Sequence, residues 1–158
     1  MNLFIDRHQV LIKNLIEEHV DFIIIGGYSV IFHGYKRTTG DVDLWLKPDN
    51  KNKIKLIAAL IKTGIPENTL TRISELDFTK HLVISFWEEP EKVDFITRIN
   101  LVSFSEADKQ KIIADIDNLQ IPFLHLNHLV LTKINTGRSK DKSDIEELQK
   151  IRKLKKKV

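Results

Sequence analysis

Gly40-Asp41-Val42-Asp43-Leu44-Trp45-Leu46 alternates acidic and apolar residues in a way that few strands do. Aspartate is depleted in strands, yet Asp41 and Asp43 interleave with Val42, Leu44 and Leu46. Side chains two apart point to one face of a strand, so both carboxylates stand side by side, with Cα atoms about 6.6 Å apart. Two hard oxygen ligands on one face suit Mg²⁺, with Mn²⁺ as the alternative. Thirteen residues upstream, the apolar run Phe22-Ile23-Ile24-Ile25 ends on Gly26-Gly27. Glycines at the end of a buried strand let a backbone come close to a phosphate.

Working outward, Lys92-Val93-Asp94-Phe95-Ile96 is a second strand pattern with an embedded aspartate. If it lies beside the first, Asp41, Asp43 and Asp94 converge. Three carboxylates can bridge two Mg²⁺ ions about 3.5–4 Å apart. The plain alternative for Asp94 is a strand-end carboxylate beside Lys92.

The remaining pattern is α/β. Residues 3–19 carry apolar positions at helical spacing, residues 28–33 a short helix ending at Gly34, and 48–63 a helix stopped by Gly64 and Pro66. Residues 82–86 and 93–96 read as strands around the turn-rich Glu88-Glu89-Pro90-Glu91. A small strand or two is expected around Asn118, and helices over 126–136 and 140–154. The stretch 67–80 fits no single pattern. The expectation is an α/β (α+β) fold: one domain over 1–158, with a mixed sheet of four to five strands flanked by helices and two C-terminal helices.

The 158 residues are enough for a hydrophobic core, and 42% are apolar. The net charge of +3 by itself implies no nucleic-acid partner. The basic excess is concentrated in Lys150-Ile151-Arg152-Lys153-Leu154-Lys155-Lys156-Lys157, which reads as a solvated helix end or as an RNA-facing tail. The absence of cysteine excludes disulfides, thiolate zinc sites and cysteine nucleophiles, and fits the cytoplasm. Neither a signal peptide nor a membrane span is expected. His33 reads as a packing residue, as do Trp45 and Trp87. His125 and His128 have no third nitrogen or sulfur ligand near them in sequence for zinc.

At this point the residues resemble a known superfamily. Gly26-Gly27, then Asp41-Val42-Asp43-Leu44, then the strand Asp94, look like the nucleotidyltransferase fold of the DNA polymerase beta type. The fuller run Gly26-Gly27-Tyr28-Ser29, His33-Gly34 and Arg37-Thr38-Thr39-Gly40-Asp41-Val42-Asp43-Leu44 is similar to small bacterial proteins related to AbiEii-type toxins. It is also similar to antibiotic nucleotidyltransferases of the lincosamide kind. Arg138-Ser139-Lys140-Asp141-Lys142-Ser143-Asp144 matches the Arg-x-Lys-Asp-x-x-Asp motif of the AbiEii-like group. Read without the resemblance, that block is also a plain helix start, its acids favouring the positive end of the helix.

The resemblance implies a Mg²⁺-dependent enzyme that moves NMP from an NTP, such as ATP, to a hydroxyl and releases pyrophosphate. It implies that Asp41, Asp43 and Asp94 bind two metal ions and that Gly26, Gly27 and Ser29 cradle the triphosphate. Lys133, Arg138 and Lys140 would neutralise phosphate charge, with Arg37 reaching a phosphate or the acceptor. Asp141 and Asp144 would orient those cations or hold the acceptor, which could be a small molecule, a tRNA end or a protein side chain. An antitoxin partner or a homo-oligomer is compatible with the same group. The competing expectation is a catalytically silent nucleotide-binding or toxin–antitoxin partner module. The sequence departs from the superfamily in having Gly26-Gly27 where Gly-Ser is usual.

Overall fold

The computed structural model describes residues 3–36, 39–134 and 136–156. Arg37, Thr38 and Lys157 lie outside the described residues. The element order is α1 (Asp6–Glu17), β1 (Phe22–Ile25), α2 (Gly26–Phe32), β2 (Val42–Leu46), α3 (Asn50–Thr63), α4 (Glu67–Ser74), β3 (Val83–Phe86), β4 (Val93–Ile96), α5 (Phe104–Gln110), β5 (Ile112–Ile116), β6 (Leu119–Phe123), α6 (Leu126–Lys133) and α7 (Ser139–Lys156).

The strands form one sheet in the order β3-β4-β2-β1-β6-β5. The β2/β4 and β1/β6 pairs are parallel and the others antiparallel. β1 is a central strand, and all four of its residues are buried, as an apolar run covered on both faces should be. Side-chain alternation divides two cores. Phe22, Ile24, Val42, Leu44, Leu46, Val93 and Phe95 pack with Leu11, Ile12 and Leu15 of α1 and Leu56, Ala59 and Leu60 of α3. Ile23, Ile25 and Trp45 face the other way, onto Phe104, Leu126, Leu129, Val130 and Leu148 of α5, α6 and α7. Asp43 shares Trp45's parity in β2 and so belongs to the α6–α7 face.

The sheet has six strands, not four to five. The stretch around Asn118 closes into a complete hairpin, β5–β6, because Asp117 and Asn118 both take left-handed backbone angles, φ 52° and 65°. The unassigned stretch 67–80 begins with α4, which buries only Ile73 within its own span and so shows little apolar period. α5 is an additional helix. Its cap is Ser103, whose side chain accepts from the Glu106 backbone N–H at 3.2 Å. Among the described residues no helix is long and apolar enough to cross a membrane.

One buried polar residue locks the end of the sheet. Asn52, 1% exposed, accepts from the Asp21 N–H at 2.8 Å and donates to the carbonyls of Asp21 at 2.9 Å and Lys47 at 3.2 Å. It ties the first turn of α3 to the chain entering β1 and leaving β2. Asn52→Ala strands these backbone groups and should lower stability by about 2 kcal/mol or more. Urea unfolding checks this; a change below about 0.5 kcal/mol would mean that water takes over the three bonds.

Candidate active site

The β1–β2–β4 register brings the acidic residues together. Asp43 lies opposite Ile25 on one side and Asp94 on the other. Asp41 immediately precedes β2, where the Val42 N–H donates to the Lys92 carbonyl at 3.1 Å and continues the ladder. All three carboxylates line a cleft of about 510 Å³, together with Gly26, Gly27, Lys133, Arg138, Lys140, Asp141 and Asp144. Thr39, Gly40, Glu89 and Lys92 complete its wall.

Gly26 is required at its position for two reasons. Its φ is +66°, and a Cβ there would collide with Oδ2 of Asp43 and lie 3.0 Å from its Cγ. The start of α2 therefore closes directly over the Asp43 carboxylate. Burial, followed by the charges of Asp94 and Asp41, pushes Asp43 up to about 6. Asp94 accepts a short hydrogen bond from the Ser85 hydroxyl, and its Oδ2 lies 3.6 Å from Lys92 Nζ. Oδ1 of Asp41 is buried and has no hydrogen-bond partner among the described residues.

These features fit a divalent cation. The donors are hard oxygens, one of them is buried and unpartnered among the described residues, and Asp43 is itself largely buried beside the like charges of Asp94 and Asp41. The carboxylates stand alongside one another rather than converged on a point; among the described residues no three acidic or histidine groups are gathered as a metal cage.

The opposite wall is basic and comes from the α6–α7 corner. Lys133, only 8% exposed, lies 3.2 Å from Asp141 Oδ1 and 3.1 Å from Asp144 Oδ2. The Thr136 hydroxyl donates to Asp141 Oδ2 at 2.7 Å, and Arg138 Nε lies 3.8 Å from the same oxygen. Burial alone would raise Asp141, but Thr136, Lys133 and Arg138 together hold it below the usual carboxylate range. Asp141 and Asp144 thus orient Lys133. Arg138 and Lys140 stay exposed at the rim.

One expectation is not met among the described residues. Ser29 is 0% exposed within α2, its Oγ is buried without a partner among the described residues, and it is not part of the cleft wall. Because α2 begins at Gly26 rather than at Tyr28, Ser29 turns into the protein instead of towards a phosphate. Arg37 lies outside the described residues. His33 is structural: Nε2 donates to the Leu124 carbonyl at 2.7 Å. His125 accepts from the Asn127 N–H and caps α6. Ser85, Glu89 and Thr136 are site residues that the sequence reading missed. Glu89 sat in a stretch read only as a turn, and nothing local indicated that it lines the cleft.

Residues 4–156 match the family described as nucleotidyltransferase of unknown function (DUF6036), and the chain belongs to that family. Two solved structures share the fold. One is a candidate nucleotidyltransferase, TM1012, of Thermotoga maritima, with a TM-score of 0.55 and 16% identity over 96% of this chain and 91% of that one. The other is the lincosamide antibiotic adenylyltransferase LnuA with lincomycin bound, with a TM-score of 0.51 and 16% identity over 96% of this chain and 99% of that one. No curated protein matches the sequence.

The Asp43 shift has a consequence for stability. A carboxyl raised from 3.8 to about 6 in the fold holds its proton more tightly there than in the unfolded chain. Its contribution is favourable below the unfolded value and is lost as pH rises from about 4 to about 6, up to about 3 kcal/mol. In metal-free buffer Asp43→Asn should therefore be more stable than the native chain at pH 7.5, with the gap closing towards pH 4. Urea titrations at both values check this; a gap that does not change with pH would mean that the fold does not raise Asp43.

Proposed function

We propose that this member of the nucleotidyltransferase family transfers NMP from an NTP to a hydroxyl acceptor, depends on Mg²⁺ and releases pyrophosphate. The observation that carries the reading is the pairing of Asp43 with Asp94 across β2 and β4 inside one cleft whose far wall holds Lys133, Arg138 and Lys140. Acidic strands facing a basic corner suit a triphosphate with its cations between them.

Asp41, Asp43 and Asp94 are the residues that would hold the ions. The ions would supply charge neutralisation on the triphosphate and a more acidic acceptor hydroxyl. The backbone at Gly26 and Gly27 borders the phosphates. Arg138 and Lys140 meet the β- and γ-phosphates from the rim, and Lys133 supplies a fixed positive charge behind them. The acceptor oxygen forms a bond to the α-phosphorus as the bond from that phosphorus to the bridging oxygen of the pyrophosphate breaks. Asp94, oriented by Ser85, takes the acceptor proton. An NTP-consuming enzyme without cysteine suits the cytoplasm. The acceptor class is open to a small molecule, an RNA end or a protein side chain.

Incubation with each of four α-labelled NTPs and pools of total RNA, cell protein and amine- or hydroxyl-rich small molecules tests the reading. Label should move to one pool in the presence of Mg²⁺, with pyrophosphate released. Asp41→Ala and Asp43→Ala should each abolish transfer while the fold persists. Near-native turnover by either variant in saturating Mg²⁺ would sink the two-ion assignment.

Arg138 gives a cleaner probe of the phosphates than Lys133, because its side chain is 69% exposed and the buried Asp141 beside it keeps Lys133 and Thr136 as partners when it is removed. Arg138→Ala should weaken NTP binding by about 1.5–3 kcal/mol, the worth of a hydrogen bond to a charged group. NMP binding should change much less. Calorimetric titration with both ligands decides it; equal weakening would move Arg138 away from the β- and γ-phosphates.

A further inference from the structure

β5 is one edge of the sheet, and the hairpin register fixes which of its backbone groups face outward. Ile116 pairs with Leu119 across the Asp117-Asn118 turn, and the pairs Ala114–Ile121 and Ile112–Phe123 continue that set. The closing pair of a two-residue hairpin is hydrogen-bonded, so Ile112, Ala114 and Ile116 direct their N–H and C=O groups to β6. The far side of β6 agrees: the Leu124 N–H donates to the Ile24 carbonyl at 3.0 Å, so even-numbered residues there face β1. Ile113 and Asp115 therefore present their N–H and C=O groups away from the sheet, without partners among the described residues. Ile113 is 48% exposed and Asp115 is exposed. Lys111, extended just ahead of the strand at φ −55° and ψ 151°, shares their parity. No proline, glycine or bulge blunts the run 111–116.

We propose that β5 is a self-pairing edge: a second copy of this chain adds its own β5 antiparallel, about a two-fold axis at Ile113. Backbone and charge select this register together. Hydrogen-bonded pairs can form only between residues of the outward set, Lys111, Ile113 and Asp115. An axis at Lys111 or Asp115 sets like charges opposite each other, and one at Ile112 or Ala114 sets a charge opposite Ile113. An axis at Ile113 places Ile113 against its own copy and Lys111 against Asp115 of the second copy, on both sides. These side chains lie on one face of the sheet, where opposite charges directly across strands stabilise and like charges destabilise. Lys111 is held by Asp108 at 2.6 Å with its side chain still 29% exposed, and Asp115 has no ion-pair partner among the described residues. About six backbone hydrogen bonds form in this register. The other edge lacks the match. Because the Thr97 N–H donates to the Leu82 carbonyl, β3 turns Val83 and Ser85 outward, and neither is charged. The pairing leaves the cleft open, since β5 lies three strands from β2, on the order of 14 Å. The contact is small, so the dimer is weak and concentration-dependent.

Sedimentation velocity on the full chain, loaded from about 1 μM to about 1 mM, tests the proposal without any reference to turnover. The native chain should pass from monomer to dimer within that range. Lys111→Glu sets an acid against Asp115, and Asp115→Lys sets a cation against Lys111. Each variant alone should therefore dimerise about tenfold more weakly. Mixed in equal amounts, the two should associate with about native affinity. The new acid at 111 then faces the new cation at 115, and the native Asp115 faces the native Lys111. A chain carrying both substitutions should also regain native affinity. Recovery on mixing cannot come from a folding defect in either variant. A native chain that stays monomeric throughout the range would overturn the proposal. So would a dimer that neither single reversal weakens, because another surface would then hold it. Failure of the mixture to recover would overturn it too, because Lys111 and Asp115 would then not face each other across the axis.

Discussion

Everything in the site depends on one close approach, that of Gly26 to the Asp43 carboxylate. The turn from β1 into α2 can pass over Asp43 only because residue 26 has no Cβ and takes a left-handed angle. The strand register sets this geometry. β1 pairs with β2 so that Ile25 faces Asp43, and β2 pairs with β4 so that Asp94 stands on its other side. Phe22, Ile24, Leu44 and Leu46 anchor that register in the core under α1 and α3. A slip of one residue would turn Asp43 into that core and Leu44 into the cleft. The apolar pattern that stabilises the sheet is therefore the same pattern that aims the carboxylates.

The two walls of the cleft are stabilised in different ways. The acidic wall is rigid because it is sheet, and it is strained because its charges are alike and partly buried. Its folding cost is met by the apolar residues alternating with the aspartates, not by ion pairs. The basic wall is neutralised within itself. Lys133 is buried against two aspartates, and the hydrophobic contacts of Leu129, Val130 and Leu148 hold α6 and α7 together around it. Removing one member of such a buried trio leaves an uncompensated charge, so the trio behaves as a unit.

Much of this was legible in the chain because it follows from alternation and glycine placement. Asp41, Asp43 and Asp94 were singled out because aspartates interrupt apolar strands there, and Arg138, Lys140, Asp141 and Asp144, with Lys133 ahead of them, through the resemblance of the second motif. The structure brings all eight to one cleft. Ser29 was misplaced because the turn of α2 starts two residues earlier than the glycines suggest from sequence alone. The sheet is one strand larger than expected because the strand or two foreseen around Asn118 close into a full hairpin, which needs left-handed angles at both Asp117 and Asn118. Glu89, Ser85 and Thr136 were invisible for another reason. Ser85 and Thr136 meet Asp94 and Asp141 across a turn, Glu89 reaches the cleft from a loop, and no local period encodes such a meeting.

This division of labour bears on how a triphosphate would be held on the proposed reading. Lys133 is fixed by Asp141 and Asp144 at a net charge of −1 for the three groups, so it contributes a placed ammonium but no excess charge. The excess comes from Arg138 and Lys140, which are exposed and carry their charge on flexible stems. A fixed cation sets where the phosphates go, and mobile cations close on them once they arrive. The acidic wall works the other way round. Asp43 is fixed by register, whereas Asp41 stands at the strand entrance under a loop gripped by α1. Each wall thus pairs an immobile charge set by the core with charge carried outside the packed elements, Arg138 and Lys140 on the basic side and Asp41 on the acidic side. An NTP and its cations could then enter an open cleft without unfolding any part of the sheet that defines it.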